Sequence, residues 1–228
     1  MITKRKAAKA KQKRIFIVDD HPMMREGLAQ LIAHETDLMV CGEADDAAQA
    51  LEQIENLKPD LALVDITLRS TNGLELIKDL RIRAPDLAIL VISMHDESLY
   101  AERVLRAGGR GYVMKQEGGK KLMEAIRHVL AGQIYVSEKM SARILEIFSG
   151  GRRDGTGSPV GRLTDREFEV FQLIGQGKGT REIAEHLHLS VKTVEVHRAN
   201  IKEKLGIKSA TDLVRFAVRW ADAQTGSG

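Results

Sequence analysis

Apolar residues along the first two thirds of the chain come in short continuous runs: "IFIV" (15–18), "LMVCG" (38–42), "LALV" (61–64), "AILVI" (88–92) and "GYVM" (111–114). Between them, apolar positions recur at helical spacing, as in Leu28, Leu31 and Ile32, or Leu74, Ile77 and Leu80. Unbroken apolar strands separated by amphipathic helices predict a parallel sheet covered on both faces. Five such strands predict an α/β, flavodoxin-like, doubly wound five-stranded parallel sheet.

After residue 162 the pattern changes to helical spacing alone. Thr164 with Glu167 and Ser209 with Asp212 read as capping boxes, and Thr180 and Ser190 stand where helix caps are expected. The signals predict four helices at 164–175, 180–187, 191–205 and 209–220. The second and third are joined by "HLS" (188–190), the short connection of a helix-turn-helix over 180–199. A C-terminal all-α, four-helix helix-turn-helix domain is therefore expected. In its third helix Val194, Ile201 and Leu205 fall in a narrow arc and face the core, which turns Lys192, Val196, Ala199 and Glu203 outward.

Between these regions "FSGGRRDGTGSPVGR" (148–162) holds five glycines, two serines and one proline, the composition of a flexible linker. Expected boundaries are a basic disordered tail at 1–13, a first domain at 14–131, a connecting helix and Gly-rich linker at 132–162, and a second domain at 163–221.

Charge supports the division. Residues 1–14 hold 7 basic and 0 acidic groups, 15–148 hold 15 and 22, and 149–228 hold 13 and 10, giving +7, −7 and +3. A basic C-terminal region fits nucleic-acid contact, whereas the Lys/Ala tail needs no explanation beyond solvation. The single cysteine, Cys41, rules out an internal disulfide. With no apolar signal core and no membrane-length apolar run, the expected location is cytoplasmic, with no membrane partner.

Ligands of doubly wound sheets bind beyond the carboxyl ends of the strands. There the first run ends in Asp19 and Asp20, the third in Asp65, the fourth in Ser93 and the fifth in Lys115. Clustered carboxylates call for a hard divalent cation, Mg2+, while a lysine and a hydroxyl opposite them suit phosphoryl oxygens. An aspartate so placed is a nucleophile able to form an acyl phosphate.

These residues make 14–131 resemble a bacterial receiver domain, a CheY-like fold. The resemblance implies Asp19 and Asp20 as the acidic metal pair with Asp65, Asp65 as the phosphoacceptor, Ser93 and Lys115 as the phosphoryl-binding groups, and Tyr112 as the aromatic switch. Gly73 matches the glycine that closes the loop after the acceptor. One departure lies in "LVDITLRSTNGLEL": Arg69 stands where receivers usually have proline, which restores an N–H and frees φ. Thr67 and His95 occupy positions whose family counterparts tune self-dephosphorylation.

"LTDREFEVFQLIGQG", "EIAEHLHLS", "KTVEVHRANIKEKL" and "LVRFAV" together resemble a LuxR-type DNA-binding domain. The whole chain is thus similar to response regulators of the NarL/FixJ type. The resemblance implies a histidine kinase as phosphoryl donor, promoter DNA as partner and a homodimer when phosphorylated. Lys192, Thr193, Asn200, Lys202 and Lys208 are the candidate phosphate contacts, and Glu195, Val196 and Ala199 the candidate base contacts. His197 lies at the margin of the buried face, where packing and phosphate contact are both open.

Two other classes were weighed. A haloacid-dehalogenase-like phosphotransferase needs a second aspartate two residues after the nucleophile, and Thr67 stands there, so no enzyme of that kind is expected. A phosphorylation-independent DNA-binding or dimerising regulator is the alternative that Arg69 keeps open.

Overall fold

A computed structural model describes residues 12–68, 72–148 and 159–225. The chain divides into two compact units between Ala142 and Arg143. Arg69, residues 1–11 of the basic tail and residues 149–158 of the expected linker lie outside the described residues.

The first unit alternates strands and helices: β1 (Lys13–Val18), α1 (Pro22–Ala33), β2 (Leu38–Ala44), α2 (Ala47–Leu57), β3 (Leu61–Asp65), α3 (Gly73–Arg83), β4 (Ala88–Ser93), α4 (Glu97–Ala107), β5 (Gly111–Met114) and α5 (Gly118–Leu130). All strand pairs are parallel, in the order β2-β1-β3-β4-β5. Strand residues alternate between faces. Ile15, Ile17, Leu61 and Leu63 therefore pack against Leu28 of α1 and Ile126 of α5 in one core cluster. The other face is covered by α2, α3 and α4, which contact one another in series, and Leu74, Ile77 and Leu80 are fully buried there. Two positions depart from expectation. Met39 is 39% exposed because the sheet ends at β2, so an apolar run reads as buried even where only one neighbour strand covers it, and Leu31 of α1 is 41% exposed beside Gly119 of α5.

The opposite edge, β5, is covered by the chain that follows α5. Tyr112 donates its N–H to Tyr135 O at 2.9 Å, and Tyr135 donates to Arg110 O at 3.0 Å. Further on, Ser137 donates to the buried Glu97 carboxylate at 2.7 Å, just before α6 (Glu138–Phe148). An otherwise open strand edge is thereby closed.

Sheet register decides what meets at the carboxyl rim. Val18 pairs with Val64, Asp65 with Ile92, and Ser93 with Met114. Asp19, Asp65, Ser93 and Lys115 thus leave the sheet at nearly the same level, around the point where β2 and β3 depart to opposite sides of β1.

The second unit carries α7 (Asp165–Gly175), α8 (Thr180–His186), α9 (Val191–Leu205) and α10 (Ala210–Thr225). Thr164 closes its capping box, with Glu167 N donating to Thr164 Oγ1 and Thr164 N to the Glu167 carboxylate. Ser190 caps α9 and Ser209 accepts from Asp212 N, as expected. At α8 the cap shifts by one: Gly179 is the cap and Thr180 the first helical residue, because the Glu182 carboxylate satisfies Gly179 N at 2.6 Å. The α8–α9 turn is made by His188 at φ +52°, with Leu189 N bonded to Ala184 O at 2.8 Å. Phe168, Phe171, Ile183, Val194, Ile201 and Leu213 form the centre of this unit. The Trp220 ring meets Phe168 and Phe171 edge-on at 5.7 and 5.4 Å.

Candidate functional site

The carboxyl rim of the sheet holds a compact charged group. Asp19, Asp20, Asp65 and Ser93 are all buried, and the Lys115 side chain is 4% exposed. Lys115 Nζ lies 2.7 Å from Asp19 Oδ2 and 2.7 Å from Asp65 Oδ2, bridging two carboxylates that would otherwise repel across the β1–β3 pair. Burial opposes charge on the lysine, but the two carboxylates outweigh it and hold its pKa above the usual value. For Asp65 burial wins: its pKa is pushed up to about 6 despite Lys115 and an N–H from Thr67. Oxygens of Asp19, Asp20 and Asp65, with a ring nitrogen of His21, all lie within 4.8 Å of one another. Three hard oxygen donors in that space fit a Mg2+ ion.

The residues that open α3 pack against the backbone at the end of β3. Gly73 packs so closely that a Cβ there would meet Asp65 O at 2.3 Å, and its N–H bonds Ile66 O at 2.8 Å. Asn72 caps α3 by accepting from Leu74 N at 2.7 Å. Across the rim, Thr67 Oγ1 and His95 Nε2 are 3.2 Å apart, joining the loops after β3 and β4. His95 N donates to Ser93 Oγ at 3.2 Å, and Tyr112 Oη donates to His95 O at 2.8 Å. The Tyr112 ring, the aromatic switch that the resemblance implies, is therefore inside, 2% exposed. Burial also pushes its phenol pKa upward.

In the second unit α9 presents the outward face that helical arithmetic predicts. Lys192, Glu195, Val196, Ala199, Asn200 and Lys208 are exposed, Thr193, His197 and Lys202 half-buried, and Val194 and Ile201 fully buried. Burial, reinforced by the nearby Arg166 charge, lowers the His197 pKa, and its Nδ1 is buried without a hydrogen-bond partner. Burial likewise opposes the Arg198 charge.

Sequence reasoning missed the brace under this helix. Lys204 Nζ, near its end, lies 2.6 Å from the Glu167 carboxylate that also closes the α7 cap, while Arg166 pairs with Glu169 at 2.8 Å and donates to Leu187 O at 2.9 Å. Burial pushes the Glu167 pKa up, but Lys204 and the Thr164 bonds together hold it below the usual value. The capping box was visible in the sequence; nothing local announced Lys204. His21 was missed as well, although it directly follows the acidic pair.

A doubly wound sheet with a lysine-bridged acidic rim, followed by a helix-turn-helix unit, defines a receiver coupled to a DNA-binding module. Residues 15–127 match the response regulator receiver domain family, and residues 161–217 match the bacterial regulatory proteins of the luxR family. The chain is 36% identical over 210 residues to the oxygen regulatory protein NreC of Staphylococcus aureus, covering 90% of this chain and 97% of that one. Among solved structures it is similar to RcsB of Salmonella enterica serovar Typhimurium bound to the promoter rprA with the phosphomimetic BeF3−, at 26% identity and TM-score 0.61, covering 91% and 99%. A LuxR-family two-component response regulator from Aurantimonas sp. SI85-9A1 aligns at 34% identity and TM-score 0.56, covering 61% and 99%. The chain belongs to the response regulators that join a receiver domain to a LuxR-type DNA-binding domain, a family of phosphorylation-dependent transcription regulators.

Among the described residues no helix is long and apolar enough to cross a membrane.

Proposed function

We propose that this protein takes a phosphoryl group onto Asp65 from a histidine kinase and thereby gates DNA binding by its LuxR-type domain in the cytoplasm. The observation that carries the reading is the Lys115 bridge between Asp19 and Asp65, which puts a cation beside the carboxylate that must approach an anionic donor. An Asp65 oxygen attacks phosphorus, the O–P bond forms, the N–P bond of the donor phosphohistidine breaks, and the departing imidazole takes up a proton. Asp19, Asp20 and Asp65 would hold Mg2+, which supplies charge neutralisation at the phosphoryl oxygens. Lys115 exchanges its Asp65 carboxylate partner for a phosphoryl oxygen, and Ser93 donates its hydroxyl to another. Ser93, His95 and Tyr112 form one chain of hydrogen bonds, so drawing Ser93 toward the phosphoryl group also loads the loop that leads into α4.

The proposed division is a receiver at 14–131, a connecting segment at 132–162 and a LuxR-type domain at 163–221. The RcsB complex with promoter DNA supports DNA contact by the second unit, and in a helix-turn-helix the second helix, here α9, enters the major groove. Lys192, Thr193, Asn200, Lys202 and Lys208 would then meet phosphates, and Glu195, Val196 and Ala199 base edges. His197, with its depressed pKa and half-buried ring, serves packing better than phosphate contact. A phosphorylated homodimer on paired half-sites completes the reading, in keeping with the RcsB dimers bound to DNA.

Labelling with radioactive acetyl phosphate in Mg2+ tests the acceptor. Wild type is expected to incorporate label and Asp65→Asn to incorporate none; undiminished labelling of the variant would overturn the assignment. DNA selected from random sequence, with and without acetyl phosphate, reports the half-site spacing and the gating together.

A further inference from the structure

His21 stands between the acidic pair and α1, and it does not do what a residue at that position usually does. It is the N-cap of α1, yet its side chain makes no capping hydrogen bond, and Pro22 at the first helical position removes one N–H that would need a cap. Its backbone N–H instead bonds Asp19 Oδ1 at 2.8 Å, which anchors the residue over the carboxylates. The imidazole is turned the same way: Nδ1 lies 2.7 Å from Asp20 Oδ1 and 3.2 Å from Asp19 Oδ1. Together with Asp65 this makes a set of one nitrogen and three oxygens whose donor atoms span no more than 4.8 Å.

Donor chemistry distinguishes this set from three carboxylates alone. Mg2+ takes oxygen ligands and gives up water reluctantly, whereas imidazole nitrogen suits Zn2+, Ni2+ and Fe2+, and Mn2+, although it shares the taste of Mg2+ for carboxylates, accepts an imidazole more readily than Mg2+ does. We propose that His21 is a fourth protein ligand of the rim, making it a mixed nitrogen and oxygen site that takes first-row transition ions such as Mn2+ in preference to Mg2+. The proposal rests on the reading of Asp19, Asp20 and Asp65 as the metal site, and adds a ligand and a selectivity to it. Because the His21 side chain is 64% exposed, replacing it leaves the receiver core intact.

The test uses the full chain loaded with Mn2+ and electron spin-echo spectroscopy, which detects a directly bound nitrogen without any phosphorylation assay. Wild type should show modulation from one imidazole nitrogen, and His21→Gln should lose it. Alongside, the ratio of Mn2+ to Mg2+ affinity by calorimetry should fall about tenfold in that variant, as expected for losing one ligand contact. Mn2+ bound without nitrogen modulation, or modulation that survives His21→Gln, would overturn the role of His21 while leaving the acidic site standing. If Asp20→Asn changes neither metal's affinity, the carboxylates are not the metal site and both readings fall.

Discussion

The acidic rim and the recognition helix α9 solve opposite problems. At the rim, charges from β1, β3 and the end of β5 are buried together, and each is tolerable only because of the others: Lys115 serves Asp19 and Asp65 at once. On α9 the candidates Lys192, Glu195, Val196, Ala199 and Asn200 are exposed to solvent, and the helix is held from behind by Val194, Ile201 and the Lys204–Glu167 pair. The lesson is that the rim should behave as one coupled unit, while the helix face should behave as a sum of separate contacts.

The largest effect should come from Lys115→Met. In chelator it leaves two buried carboxylates without their cation and should destabilise the receiver unit by about 3–5 kcal/mol, with partial recovery when Mg2+ is added. Denaturant unfolding measures this, and a loss below about 1 kcal/mol would mean that the rim is not coupled in this way.

Next is the titration of Asp65. Its folded pKa of about 6 stands above the ordinary 3.8, so the fold prefers the protonated form. Its stabilising contribution is complete below pH 3.8 and is lost as pH rises through 6. Carboxyl carbon NMR in chelator should show a midpoint near 6 that falls on addition of Mg2+; a midpoint near 4 in chelator would break the picture of a desolvated acceptor.

A smaller loss is expected from Glu167→Gln, which keeps the size of the side chain but removes the charge facing Lys204. About 1–2 kcal/mol should go from the second unit, with DNA affinity following only as far as α9 is loosened. Because the Glu167 pKa is lowered, this contribution is present above the usual carboxylate value of 4.5 and disappears as pH falls through the folded value. Equal stability of variant and wild type at pH 7 would show the brace to be dispensable.

Smallest are the single phosphate candidates. Lys192→Ala and Lys208→Ala should each weaken binding to all sequences alike and reduce the salt slope by about 1, and the double variant should show the sum. Marked non-additivity would erase the contrast with the rim.

Much of this was legible beforehand, for reasons that differ between the regions. The five strands were written as apolar runs because a sheet covered on both faces needs them, and the three helix starts at Thr164, Ser190 and Ser209 were written as caps. Gly179 displaced Thr180 as a cap because Glu182 supplied the acceptor, a choice between neighbours that composition leaves open. The outward face of α9 followed from a period of 3.6 residues, which no tertiary contact can alter.

By itself, then, the sequence determined the strands, the helices, the face that α9 turns to solvent, and the chemical groups that end each strand, since all of these depend on residues a few positions apart. Only the tertiary structure decided that Lys115 bridges Asp19 and Asp65 across separations of 96 and 50 residues, that Tyr112 lies inside against His95, that His21 turns toward the carboxylates, and that Lys204 braces Glu167 from 37 residues away. The physical reason is one of range. Periodicity and capping are satisfied within a few residues of chain, but which charges share a buried site is set by strand order and register, and those emerge only when the whole sheet is packed.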